Sequence, residues 1–179
     1  MCTIKRFVEK YKKAYNELPE AIFNTVQQIS DVLLDLNKDQ LLQGRDADGN
    51  ILTPGYLQDD YFPTSKMAQA YLRKKIRLEQ IHWARMRFLT GIELYPGKNE
   101  NTPNLIVTGP FHDGFFIKAT KGSFDKLDAI GEYTIDSSYE DADDINSKYK
   151  GRVYGHAPRS KAFIYFTYIR PTIERVYRQ

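Results

Sequence analysis

Five apolar residues, Ile22, Val26, Ile29, Leu33 and Leu36, recur at steps of four, three, four and three, and this spacing constrains the chain more than any other feature. At 3.6 residues per turn they fall on one stripe, so Glu20 to Leu42 is expected as a long helix with a single apolar face. That face must be covered, either by a sheet of the same chain or by a coiled coil with another. A stripe of little more than two heptads favours the first. Upstream, Ile4, Phe7, Val8 and Tyr11 share a face of a shorter helix, Ile4 to Tyr15. Pro19 predicts a break after it, with the proline in the first turn of the next helix. Gly44 is expected to end the long helix, and Asp48-Gly49 within RDADGNILTPGY predicts a turn or short hairpin. Asp46, Asp48 and Asn50 alternate as at the start of a calcium loop. The sixth position is Ile51 and the twelfth Leu57, so calcium is rejected.

A second long helix is expected from Ser65 to Leu89, which contains neither Gly nor Pro and follows Pro63-Thr64-Ser65. From Gly91 to Asn104 the breakers in LYPGKNENTPN predict an exposed, adaptable loop tip. Phe111 to Thr120 and Ala129 to Asp136 carry alternating or β-branched apolar residues bounded by glycine, which predicts two antiparallel strands. Asp141 to Tyr149 reads as a short helix stopped near Gly151, and Val153-Tyr154 as a brief strand. The last stretch has strand composition, but Ala162, Phe166, Ile169, Ile173 and Val176 again step by four, three, four and three. A C-terminal helix is favoured; a strand ending near Ile169 before a short helix at Pro171 is the alternative. Together these elements predict an α+β fold, long helices packed on a small antiparallel sheet with a C-terminal helix, in a single domain spanning 1–179.

The net charge of +3 hides a polarity along the chain. The second long helix carries Lys66, Arg73, Lys74, Lys75, Arg77, Arg85 and Arg87 against Glu79, whereas Asp125 to Asp144 is acidic. Separated patches of both signs suit subunits that meet charge to charge better than a protein that coats nucleic acid. These basic residues form either a solvated helix face or a subunit-facing surface. The single Cys2 excludes an intrachain disulfide and a cysteine-based zinc site, as suits synthesis in a reducing cytoplasm. No apolar run reaches the roughly 18 residues of a bilayer span, and MCTIKRFVEKYKK lacks the apolar core of a signal peptide, so no membrane partner is expected. The 13 Tyr and 10 Phe serve a core or a partner surface equally well.

Catalytic patterns are missing from the sequence. His82, His112 and His156 have no ligand-spaced companions, and His112-Asp113, as neighbours on an expected strand, would point to opposite faces. GxSxG, GxxxxGKS, GxGxxG and SxxK do not occur. The run Glu140-Asp141-Ala142-Asp143-Asp144 reads as the acidic first turn of a helix sooner than as a two-metal nuclease site. No enzyme, metal or cofactor is therefore expected. The strongest competitor from another class is a cytoplasmic nucleic-acid-binding accessory protein, since Lys66, Arg73 and Arg77 can line one basic edge of helix 65–89.

Three segments carry a resemblance. NKDQLLQGRDADGNILTPGY (Asn37 to Tyr56) resembles small virion proteins of tailed phages, especially crAss-like and other phages of Bacteroides-type hosts, in which a long helix ends in Gln-Leu and a Gly-rich acidic turn. TPNLIVTGPFHDGFFI (Thr102 to Ile117) is similar to the Thr-Gly-x-Phe element of tail-completion and neck proteins. KYKGRVYGHA (Lys148 to Ala157) with the later IRPTI completes the order. Gly44 and Gly49 fit as tight-turn glycines, and Thr108-Gly109 as a hydroxyl and a flexible backbone ahead of the first strand. Pro110 departs from the pattern, as does the very basic middle helix. The resemblance implies a virion protein, made in the host cytoplasm, whose copies form a cyclic ring in the neck with portal, neck and tail proteins as neighbours. In such a ring the charge pattern suits a subunit interface of Lys66, Arg73, Lys74, Arg77 and Arg85 against Asp141, Asp143 and Asp144, with the 91–104 loop expected to touch another ring or, in passing, packaged DNA.

Overall fold

The computed structural model describes residues 4–83, 90, 92, 94, 95, 97–105, 110–121 and 131–178. Its first element, α1 (Ile4–Gln28), runs unbroken through Pro19, so the expected break is corrected. A proline inside a helix costs about 3 kcal/mol through a lost N–H and a crowded carbonyl. Here the ring is buried, and Ala14 and Leu18 beside it pack with Val176, Ile173 and Tyr177 of the C-terminal helix. The interruption falls instead at Ile29, which leaves the helical region (φ −104, ψ 15) before α2 (Ser30–Leu42). Bonds from Ile29 N–H to the Thr25 carbonyl and from Leu33 N–H to the Ile29 carbonyl keep the two helices nearly in phase.

That phase matters because the 22-26-29-33-36 stripe remains on one side. Val26, Ile29, Leu33 and Leu36 are buried with Ile164, and Ile22, Ile117, Ala119, Tyr133 and Ile169 pack around them. The cover of the stripe is therefore the chain's own sheet and C-terminal helix. Burying each of its leucines contributes about 2 kcal/mol. The sheet has two antiparallel strands, β1 (Phe115–Lys121) and β2 (Gly131–Ser137), in the register Ile117 opposite Ile135 and Ala119 opposite Tyr133. On its other face Lys118 reaches diagonally to Asp136 at 3.0 Å.

The first strand starts later than expected. Pro110–Asp113 forms a single helical turn, α4, because Pro110 has its φ preset for a first helical position, and Gly114 then leads into β1. His112 and Asp113 thus sit on a helical turn and not on a strand. A second cluster, Leu41, Leu52, Phe111, Phe115, Ile135, Ala142, Tyr149 and Val153, lies between α2, the sheet and α5 (Ala142–Lys148). Val153 is fully buried in an irregular segment, and no strand forms at Val153-Tyr154. The Val153 carbonyl accepts from the Asn37 side chain instead of from a neighbouring strand.

The helix α3 (Ser65–Trp83) packs on a tight turn at Tyr56–Gln58; the rest of the expected 65–89 helix lies outside the described residues. At the C-terminus a helix does form. It comprises α6 (Pro158–Ile164), a π-helical turn at Tyr165–Ile169 and α7 (Arg170–Arg178). Arg170 N–H bonds to the Tyr165 carbonyl, five residues back, and this wider turn accommodates Pro171, whose ring would crowd a regular ladder. The expected stripe is corrected accordingly. Ala162 and Phe166 are exposed, and the buried face passes from Ile164 through Tyr168 and Ile169 to Thr172, Ile173 and Val176.

The chain is thus a predominantly helical α+β fold built on one small antiparallel sheet. No helix among the described residues is long and apolar enough to cross a membrane.

Candidate functional site

Buried polar side chains are the usual place to look for chemistry, and here they brace loops. Gln40 of α2 donates to the carbonyls of Asp46 (2.9 Å) and Gly155 (3.2 Å) and accepts from the Ala157 N–H at 2.7 Å. His156 accepts at Nδ1 from the Tyr133 hydroxyl (3.0 Å), because its Nε2, 2.8 Å from the Leu33 carbonyl, must be the donor there. Burial pushes the His156 imidazole down to about 4 and the Tyr133 phenol up to about 12, so the pair is neutral and fixed in one tautomer. His112 is pushed down to about 3, again by burial, and stacks on Phe115.

The calcium-like loop is an Asx turn. The Asp46 carboxylate accepts the N–H groups of Asp48 (3.0 Å) and Asn50 (2.8 Å), and Asp48 pairs with Arg152. Gly44 (φ +68) and Gly49 (φ +86) hold the positive φ the turns demand, and a Cβ on Gly44 would lie 2.2 Å from the Thr102 methyl. A single antiparallel bridge, Arg45 to Ile51, is all that forms of the hairpin.

The 91–104 segment is not the exposed tip expected. Tyr95, Thr102, Pro103 and Asn104 are buried, and among its described residues exposure is confined to 97–101. The Tyr95 hydroxyl accepts from the N–H groups of Arg159 and Ser160, both at 3.1 Å. It serves the first turn of α6, whose cap residue Ala157 has no oxygen to offer. A tyrosine acting at a distance as a helix cap leaves no local signature in sequence.

What remains outward is charge. On α3, Lys66, Arg73, Lys74 and Arg77 are exposed, and none of them has an ion pair within the described residues. Lys75, between them in sequence, is turned inward and 3% exposed, over the Tyr56 ring at 6.0 Å. Asp141, Asp143 and Asp144 are exposed at the start of α5, where the helix dipole favours them. Arg85, Thr108 and Gly109 lie outside the described residues. Within one subunit the two charged groups are not in contact; each faces out from its own element.

Between α3 and α5 is a cleft of about 430 Å³, lined by Tyr56, Tyr61, Phe62, Tyr71, Ile145 and Tyr149, with Lys75, Asp59 and Lys148 at its polar edge. Lys148 bonds to Asp59 and ties α5 to the segment before α3. The aromatic residues come from four separate stretches, so no motif announces the cleft. Residues of α3 near 71 and 75 wall it, while Arg73 and Arg77, about 200° further round the helix, point away from it.

Among the described residues no three His, Cys, Asp or Glu side chains converge on a point that could hold a metal. No family model, no curated protein and no solved structure matches the chain.

Proposed function

We propose that the chain is a structural subunit of a tailed-phage neck, assembling head to tail into a ring between portal and tail. The observation that carries this reading is the pair of outward faces, cationic on α3 and anionic on the first turn of α5, which lie on different elements and are unpaired with each other within the subunit. A heterologous ring contact needs two different, complementary faces on each copy. The ordered resemblance of residues 37–56, 102–117 and 148–173 to neck and tail-completion proteins supports the virion setting. In the ring, Arg73 and Arg77, with Lys66 and Lys74, meet Asp141, Asp143 and Asp144 of the next copy. A paired R73E/R77E substitution should then yield particles that lack the protein in the neck, scored by mass spectrometry of purified virions. Full occupancy in such particles, or absence of the wild-type chain from virions, would overturn the reading.

One observation favours a second function. Lys66, Arg73 and Arg77 follow at seven and four residues along one exposed edge, a spacing that suits phosphates. Filter binding to duplex DNA that falls steeply with salt, with no assembly of the chain, would favour nucleic-acid binding instead.

A further inference from the structure

The first turns of α1 present an apolar stripe that is largely exposed, with Tyr11 touching the rest of the subunit at Tyr177. Ile4 is 84% exposed, Phe7 62%, Val8 49% and Tyr11 45%. Lone exposed apolar residues are ordinary, but four on one face of a helix form a patch of the kind that marks an interface. Lys5 and Lys12 flank the stripe on one side and Lys10 on the other, with Arg6, Lys13 and Glu9 on the far side of the helix. This arm runs along α7, held by Tyr11 against Tyr177 (ring centroids 5.6 Å) and by Lys10 donating to the Arg178 carbonyl.

Two arms laid stripe to stripe would bring their cations together, so a symmetric pairing is disfavoured. The aromatic cleft between α3 and α5 offers the opposite. Its walls are mostly aromatic, with Lys75 and the Lys148–Asp59 pair among them, and its mouth carries Tyr61, 79% exposed, next to the exposed Asp60. On α5, Asp141 and Asp144 stand one turn before the lining residues Ile145 and Lys148, which puts carboxylates on the rim. A cavity of about 430 Å³ is large enough to take a few apolar side chains.

We infer that the arm of one copy docks in the cleft of the next, with Phe7 and its apolar neighbours inserted among Tyr56, Phe62, Tyr71 and Tyr149, and Lys5 and Lys12 facing Asp60. The occupant is a second copy of this chain. In the ring the contact runs head to tail and propagates from copy to copy, whereas a reciprocal exchange of arms would close as a dimer and give no ladder. It rests on the ring reading only for closure into a cycle; the contact itself does not need the virion.

Sedimentation velocity of the purified full chain tests it. The wild type should form oligomers whose half-assembly concentration rises roughly tenfold to a hundredfold in F7E, the worth of burying one phenylalanine. Circular dichroism of F7E should be unchanged, since the site is exposed. In a C2S background, the F7C/Y61C double variant should oxidise to a ladder of covalent oligomers, whereas F7C alone should not dimerise efficiently. A wild type that stays monomeric at its highest soluble concentration overturns the inference, as does F7E assembling like the wild type. Efficient F7C dimers would show the symmetric pairing instead. Monomers that bind phosphatidylglycerol vesicles through Phe7 would assign the arm to a lipid surface and also overturn it. Failure of R73E/R77E particles with normal F7E assembly would separate the charge contact from the arm.

Discussion

Acid should weaken this fold through two buried histidines, and the size of the effect follows from their surroundings. His156 is held near 4 and His112 near 3, both by burial, whereas an unfolded chain protonates its histidines at about 6.5. Below pH 6.5 the unfolded state takes up protons that the folded state refuses, so stability is complete above that value. It falls as the pH drops from about 6.5 towards 4, and the slope fades once the folded imidazoles titrate. Between pH 7 and pH 5 each histidine removes about 2 kcal/mol, and the two together about 4 kcal/mol, a large share of a typical domain's stability. Urea denaturation followed by circular dichroism at the two pH values reads the loss directly. H156Q should lower stability at pH 7 by removing the bonds to Tyr133 and Leu33, yet lose only about half as much on acidification because only His112 still contributes. Identical pH slopes for the wild type and H156Q would refute the reasoning. So would a His156 ring resonance, assigned by its loss in H156Q, that titrates near pH 6.5.

Three further outcomes are expected. Gly44→Ala forces a Cβ into the Thr102 methyl at a positive φ and should cost about 2 kcal/mol or more by chemical denaturation, whereas Gly97→Ala, with nothing near its Cβ, should cost only the backbone strain of about 1 kcal/mol. Gln40→Leu strands the Ala157 N–H, while the Asp46 carbonyl keeps the Gly49 N–H and the Gly155 carbonyl keeps the Asn37 side chain, and should lower stability by about 2 kcal/mol in the same assay. Tyr95→Phe removes the acceptor for the Arg159 and Ser160 N–H groups, and should cost about 1 kcal/mol and speed amide exchange at the start of α6.

The stripe of α1 and α2 was legible because its residues bury against the same chain, where periodicity and burial coincide. The turn glycines were legible as well, since a positive φ leaves a residue-type signature at Gly44 and Gly49. Pro19 misled because local propensity yields to packing when the ring itself is buried. The 91–104 loop misled for a related reason. Its breakers describe an irregular backbone correctly, but whether such a backbone is tied down depends on distant partners such as the Tyr95 hydroxyl and the start of α6. The charged residues of α3 were readable as a group but not by direction, and Lys75 turned inward while Arg73 and Arg77 did not. The aromatic cleft was invisible, being assembled from positions as far apart as Tyr56 and Tyr149.

The π-helical turn ahead of Pro171 also works as a phase shifter. Ile164 and Val176 are twelve residues apart, which on an unbroken α-helix would set them about 120° from each other. The wide turn absorbs one residue and brings the difference to about 20°, so one helical rod seals α2 at Ile164 and the middle of α1 at Val176. Were residues 165–169 wound as regular α-helix with none removed, everything beyond would rotate by about a quarter turn, unseating Thr172 and Val176 and swinging the surface that holds the N-terminal arm at Tyr177. Deleting one residue there removes the surplus and leaves the phase as it is. The direction in which the arm leaves the body is thus set by how one turn at the opposite end of the chain is wound.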